Sequence, residues 1–317
     1  MAYSDPQIMM TLAAITYAPA ADIRSYLLPT TNPPNATNGE WALVWGPAVT
    51  DIDKGNLVFV SYNSSTNQYA IAVRGTYPYF SLALLVDLYQ DLDVSHPHPW
   101  QYPTVDGALV AGGTIDGLND LIAMTSNGVA FGTFIESKIA PSGADIFVTG
   151  HSLGGALTTV LAPWLVYKLS QINSKSAVMP YTFAGPTAGN VEFANFYTGL
   201  FTKSYRYYNA IDIVPKAWAD LASIKSLYSS PGPGCPWELK DTIDLTLDWV
   251  NAIKVNYTQP NGHGQSLPGV PSPTSDFFAE ALDQHDHNYY LKLLGAPTVP
   301  ITAPEGSAKS KRRYHQV

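Results

Sequence analysis

Cysteine is almost absent: Cys235 stands alone among 317 residues. No disulfide can form within the chain and no cysteine-based zinc site can be built. Charge is scarce too, at 13% of residues against a usual share of roughly 25%, and with 46% apolar residues this excludes an acidic solvating chain, a coiled coil and a disordered protein. Positive charge is the scarcer sign, 17 Lys and Arg against 25 Asp and Glu, for a net charge of −8. The one basic cluster, Lys309, Lys311, Arg312 and Arg313, lies at the extreme C-terminus. The basic face that nucleic acid demands is missing elsewhere, so neither nucleic acid nor an anionic membrane surface is expected as the main partner. No run reaches the ~18 apolar residues of a membrane-spanning helix, so no integral membrane segment is expected. The apolar stretch near the N-terminus has no basic residue before Arg24 and lacks the positive leading region of a secretory signal. The compartment stays open. Few Lys and Arg and 20 tyrosines place export of a processed form slightly ahead of the cytoplasm.

What the chain holds in quantity is apolar material, enough for a sizeable core. Residues 56–63 (NLVFVSYN) and 68–74 (QYAIAVR) read as strands joined by a short loop. Residues 145–149, 178–183 and 205–209 are further runs of strand length. Helical spacing of apolar residues covers 118–139 and 153–169, and helices at 277–282 and 287–294 close the chain, with Gly295 as the stop. Pro- and Gly-rich stretches at 29–38, 229–236 and 260–273 read as surface loops. Helices alternating with nearly continuous apolar strands predict an α/β fold, a mostly parallel central sheet covered by helices on both faces. A single domain over residues 1–299 is expected, then a tail, 300–317, without apolar periodicity and expected to be disordered.

The chemistry concentrates in DIFVTGHSLGG, residues 145–155. Ser152 stands in Gly150-His151-Ser152-Leu153-Gly154, a G-x-S-x-G pattern with a strand before it and a helix after it. That is the context in which a sharp strand-to-helix turn exposes a nucleophilic hydroxyl. Glycines two before and two after the serine remove Cβ atoms for which such a turn has no room. The N–H of Leu153, at the helix start, points to where a negative oxygen would develop. A serine also needs a base and an orienting acid, in the chain order Ser, acid, His. Asp212 directly follows strand 205–209 in YNAIDIVPKA, and acids at strand C-termini face the same sheet edge as the serine. Asp241, Asp244 and Asp248 read instead as the polar face of a helix. His285 and His287, just ahead of the last helix, both qualify as the base, whereas His263 lies in a Gly/Pro loop and His315 in the tail. If Asp286 caps the last helix, His285 falls in a flexible loop ahead of it and His287 inside its first turn. This favours His285 and keeps His287 as the alternative. His96-Pro97-His98 has neither carboxylate nor cysteine spacing for a metal; no metal and no other cofactor is expected.

These residues resemble the fungal-type class 3 lipase family over about residues 56–294. Arg74-Gly75-Thr76 is similar to the family's RG[ST] motif, and Gly150–Gly155 is identical to its GHSLGG elbow. Phe183-Ala184-Gly185-Pro186-Thr187-Ala188-Gly189-Asn190 is similar to its F-G-x-P-R-x-G-N segment, and Asn209–Pro215 matches its N-x-x-D-x-V-P motif. The resemblance implies an α/β-hydrolase fold, Asp212 as the triad acid, and an oxyanion hole from Thr76 and Leu153. It implies structural roles for Arg74 and the 185–190 loop. Thr187 stands where the family usually has arginine, and Val105–Gly113 carries no recognisable H-x-G segment.

The family places a mobile lid and part of the acyl pocket between Thr76 and Trp100. Tyr77, Phe80, Leu84 and Leu85, in an apolar stretch with Tyr79, Leu82 and Leu88, are the substrate-binding residues this implies. The stretch 237–255 is amphipathic as well, and there core packing is the expected role ahead of pocket capping. The expected function is a serine carboxylic-ester hydrolase, a triacylglycerol lipase acting through an acyl-enzyme on lipid esters at an oil–water interface. The alternatives are a carboxylesterase or feruloyl-type esterase for shorter or aromatic acyl groups and, in another class, a non-catalytic lipid-binding protein.

Overall fold

Alternation along the strands decides the architecture. Leu57 and Phe59 enter one hydrophobic cluster while Val58 and Val60 enter another. The same split recurs for Ala70 and Ala72 against Ile71 and Val73, and for Phe147 against Ile146 and Val148. Apolar residues on both sides of a strand require cover on both faces of the sheet. The computed structural model describes residues 2–30, 33–50, 55–74, 93–228, 232–260 and 263–301. Its strands are β1 (Ala42–Val49), β2 (Leu57–Asn63), β3 (Gln68–Val73), β4 (His98–Gln101), β5 (Thr104–Val110), β6 (Thr125–Ser126), β7 (Val129–Ala130), β8 (Asp145–His151), β9 (Val178–Phe183), β10 (Tyr205–Asn209) and β11 (His263–Leu267).

Seven of them form one sheet in the order β1-β2-β3-β8-β9-β10-β11. The pairs β1/β2 and β2/β3 are antiparallel, and every pair from β3 to β11 is parallel. The predicted mostly parallel sheet is therefore present. One face is covered by helix Asp5–Ile15 with Tyr290 and Leu291 of the last helix, His287–Leu293; the other by helices Gly112–Ala123, Leu153–Ser170 and Val191–Leu200. Met9 to Ile15 are all buried, so the N-terminal apolar run is a core helix, and Thr149 donates its hydroxyl to Met9 O at 3.0 Å.

Three expectations are corrected. The helix predicted over 118–139 is interrupted: Gly112–Ala123 ends, β6 and β7 pair as a hairpin, and Phe131 starts a new helical segment. Asn127 and Gly128, at φ 49° and 77°, make the turn, and Asn-Gly is a strong short hairpin signal. The stretch 260–273 is not all loop, because β11 lies inside it and pairs with β10 through the backbone. The helix predicted to stop at Leu282 continues to His285. The tail from residue 302 lies outside the described residues.

Candidate active site

Ser152 sits between β8 and helix Leu153–Ser170, with φ 61° and ψ −131°. For a residue with a Cβ this conformation costs about 1–3 kcal/mol, and its surroundings impose it. A Cβ on Gly150 would lie 2.2 Å from Gly154 O, and one on Gly155 would lie 2.8 Å from Gly185 Cα. Ser152 N donates to Phe183 O at 3.0 Å, fixing the turn to β9. The first N–H groups of a helix have no acceptor within it, and Leu153 provides the first of this one.

Asp212 follows β10 in a turn closed by its N–H on Asn209 O at 3.1 Å. Its carboxylate is fully buried. Oδ1 accepts from Val214 N at 2.9 Å, and Oδ2 accepts from His285 Nδ1 at 2.7 Å and from the Tyr290 hydroxyl at 2.8 Å. Because a carboxylate only accepts, His285 carries its proton on Nδ1 and leaves Nε2 to accept from Ser152 Oγ, 2.9 Å away. Three residues distant in sequence thus form one hydrogen-bonded chain at the C-terminal edge of the parallel strands.

His285 is the last residue of helix Phe277–His285, not part of a flexible loop as expected. Asp286 does cap the next helix, accepting from Asn288 N and Tyr289 N. The preceding Gln284 is buried and ties that helix to the sheet. Asn209 Nδ2 donates to Gln284 O at 2.9 Å and to its Oε1 at 2.7 Å, while Gln284 Nε2 donates to Glu280 Oε1 and Val270 O, both at 2.8 Å. His287 is not brought to Ser152. It stacks on Tyr17 with ring centroids 5.2 Å apart, and burial lowers its pKa.

Two partners had escaped the sequence reading. The Tyr290 hydroxyl accepts from Asn209 N at 2.9 Å while donating to Asp212; burial and then the Asp212 charge push its pKa well up. Tyr17 shares a 2.9 Å hydrogen bond with His151 Nδ1, and the His151 ring lies 4.7 Å from that of His285. Burial first, then His285 and His287, hold His151 well below the ordinary imidazole pKa, so it stays neutral. Only Tyr290's position after the histidines and His151's place in the elbow hinted at either contact.

The expected structural residues are buried and bonded. Arg74 donates to Gly55 O. Thr187, in place of the usual arginine, donates its hydroxyl to Ala217 O at 2.8 Å. Asn190 accepts from Leu109 N and Phe193 N and so caps helix Val191–Leu200. Thr76, Tyr77, Phe80, Leu84 and Leu85, with the expected lid segment between Thr76 and Trp100 as far as residue 92, lie outside the described residues; its end, 93–100, lies within them and runs into β4.

A family model described as lipase (class 3) matches residues 71–221. A lipase of Caenorhabditis elegans is 32% identical over 139 residues, 44% of this chain and 30% of that protein. A lipase of Rhizomucor miehei is 34% identical over 121 residues, 37% of this chain and 31% of that one. The chain spans less than a third of the length of these relatives. Among solved structures, M37 lipase superposes with a TM-score of 0.82 at 28% identity, covering 92% of this chain and 93% of that one. The Rhizomucor miehei lipase propeptide complex aligns at a TM-score of 0.50 and 21% identity over 67% of this chain and 62% of that one, a likeness of fold. The fold is that of the α/β-hydrolases.

Proposed function

We propose that the chain is a member of the class 3 lipase family, whose model matches residues 71–221, that it is a serine carboxylic-ester hydrolase and, more finely, that it is a triacylglycerol lipase. The observation that carries this reading is the unbroken relay of 2.9 Å from Ser152 Oγ to His285 Nε2 and 2.7 Å from His285 Nδ1 to Asp212 Oδ2. Ser152 Oγ attacks the ester carbonyl carbon as its proton passes to His285 Nε2. Asp212 fixes the tautomer and stabilises the imidazolium without taking up a proton itself. Negative charge on the carbonyl oxygen is held by the N–H of Leu153, at a helix N-terminus, with Thr76 as the second donor. The tetrahedral intermediate collapses, the leaving alkoxide takes the proton from Nε2, and an acyl-Ser152 ester remains. Water, losing its proton to His285, then repeats the sequence and releases the carboxylic acid. Tyr77, Phe80, Leu84 and Leu85 provide the apolar surface for the acyl chain, in a segment that acts as a lid.

The test has two arms. A fluorophosphonate probe should label the native chain once and leave Ser152→Ala unlabelled; an unlabelled native chain refutes the hydrolase reading. A series of p-nitrophenyl esters and an emulsified triacylglycerol then ranks substrates. A preference for long acyl chains with a rise in rate at the oil–water interface supports the lipase; a maximum on dissolved short or feruloyl esters refutes it in favour of an esterase.

A further inference from the structure

Large apolar side chains left in water are unevenly spread. Among the described residues the four most exposed are Trp237 at 69%, Val270 at 68%, Leu245 at 64% and Trp249 at 58%. Three of them belong to helix Trp237–Ala252. Its inner side carries Leu239, Ile243 and Val250 into a third hydrophobic cluster. At 3.6 residues per turn those three share one side, and Trp237, Leu245 and Trp249 all fall on the opposite half of the helix. Leu245 and Trp249, four apart, are surface neighbours. Core packing, the expected role of this stretch, accounts for the inner side alone.

The helix stands at the edge of the sheet that bears Ser152. Its cluster includes Ile213 and Val214, next to Asp212, and takes in Leu153, next to Ser152. Tyr257, soon after the helix, donates its hydroxyl to Val94 O at 2.8 Å. Val270 O accepts from Gln284, the residue before His285.

We propose that the outer side of helix Trp237–Ala252 is a docking surface for an uncharged or zwitterionic lipid–water interface, with Trp237, Leu245 and Trp249 entering the interface so that the Ser152 edge faces the lipid. The proposal rests on the reading of the chain as a lipid-ester hydrolase and supplies the means by which it stays on its substrate. Tryptophan has an apolar body and one N–H donor and favours the boundary between hydrocarbon and water. Charge selects the kind of surface. The helix holds Glu238, Asp241, Asp244 and Asp248 against Lys240 alone, and Lys225 offsets only Asp244. Such a face is repelled by anionic lipid and tolerated by neutral ester or phosphatidylcholine surfaces.

The test uses the full chain carrying Ser152→Ala, so that binding is read without turnover. Flotation with triacylglycerol droplets coated in phosphatidylcholine should show binding that Trp237→Ser with Trp249→Ser weakens by about tenfold or more. Leu245→Gln should weaken it by a smaller factor, and anionic lipid in the coat should weaken it further. In the Ser152-intact chain the same double substitution should leave hydrolysis of a dissolved short-chain ester within about twofold while lowering the rate on droplets. Undiminished droplet binding by the double variant overturns the proposal, as does stronger binding to anionic droplets. Sedimentation that shows a dimer lost on the same substitutions overturns it too, assigning the face to a second copy of the chain. Absence of dissolved-ester hydrolysis by the native chain refutes the hydrolase reading instead, an outcome separate from droplet binding.

Discussion

Two neighbouring regions at one edge of the sheet invert the usual distribution of residues. Around Asp212, polar groups are fully buried, and each one named has its partner: Asp212 accepts three hydrogen bonds, Tyr290 gives one and takes one, and Gln284 bridges Asn209, Glu280 and Val270. On helix Trp237–Ala252, large apolar groups stand in water with nothing over them among the described residues. A buried carboxylate is tolerable only when its lone pairs are satisfied, so the first region is rigid by necessity. Exposed aromatic surface carries no such demand, and its cost is relieved only by something outside the chain. In the reading proposed above, the first region performs the chemistry and the second brings the substrate to it.

The comparison breaks most visibly at the two histidines. His285→Ala should lower kcat by roughly 10⁴-fold or more, because it severs the relay between Ser152 and Asp212. His287→Ala, two residues on, should cost under about tenfold, since it removes a ring that touches Tyr17 and not the serine. Asp212→Asn should approach the His285 effect, about 10⁴-fold, by presenting the wrong tautomer to Ser152. Steady-state kinetics on a dissolved ester measures all three, and equal losses for the two histidine variants would refute the assignment of the base.

That contrast also marks what the sequence could disclose. Ser152 was legible because a continuous apolar run announces the strand that it directly follows, and Asp212 because it comes just after the Tyr-rich strand Tyr205–Asn209 in the order Ser, acid, His. His285 was harder to fix, since its position depends on where one helix ends and the next begins. Asp286 was correctly seen as a cap, but the helix before it runs on to His285 itself, held by the buried Asn209–Gln284 pair. The edge strand β11 was invisible for the opposite reason: HGQSL pairs through its backbone and has no apolar run to betray it. Asn127–Gly128 is a hairpin signal that the helical spacing on either side of it masks. No sequence pattern states that Tyr290, distant along the chain, would reach Asp212.

Tyr290 therefore sharpens the comparison on the buried side. Tyr290→Phe keeps the ring, removes the donor to Asp212 and leaves Asn209 N without its acceptor. Hydrogen bonds to charged groups contribute about 1.5–3 kcal/mol, so kcat/KM should fall roughly ten- to a hundredfold. An unchanged value would mean that His285 and Val214 suffice to hold the carboxylate. Gly155→Ala tests the packing of the elbow: its Cβ would meet the backbone of Gly185, at Cα, at 2.8 Å. A loss of about 1–3 kcal/mol in denaturant unfolding is expected, and stability equal to the native chain would show that the β9 loop yields.

The smallest effect concerns the imidazole beneath the relay. His151 is buried beside His285, and its pKa lies well below the ordinary value, about 6.5. In the window between those two values the unfolded chain binds a proton at this position and the folded chain does not. The neutral histidine thus contributes stability that is fully present above about pH 6.5 and is lost as pH falls below it, at up to about 1.4 kcal/mol per pH unit. His151→Gln removes the titrating group, so its cost in unfolding free energy should be smaller at pH 5.5 than at pH 7, by about 1 kcal/mol. An equal cost at both values would mean that His151 titrates as it does in the unfolded chain. A charged His151 ring would then lie at mildly acid pH with its centroid 4.7 Å from that of His285. Its charge would oppose the imidazolium that His285 becomes in the proposed transfer from Ser152. A neutral His151 packs against His285 without opposing its charge, and a titrating one would not.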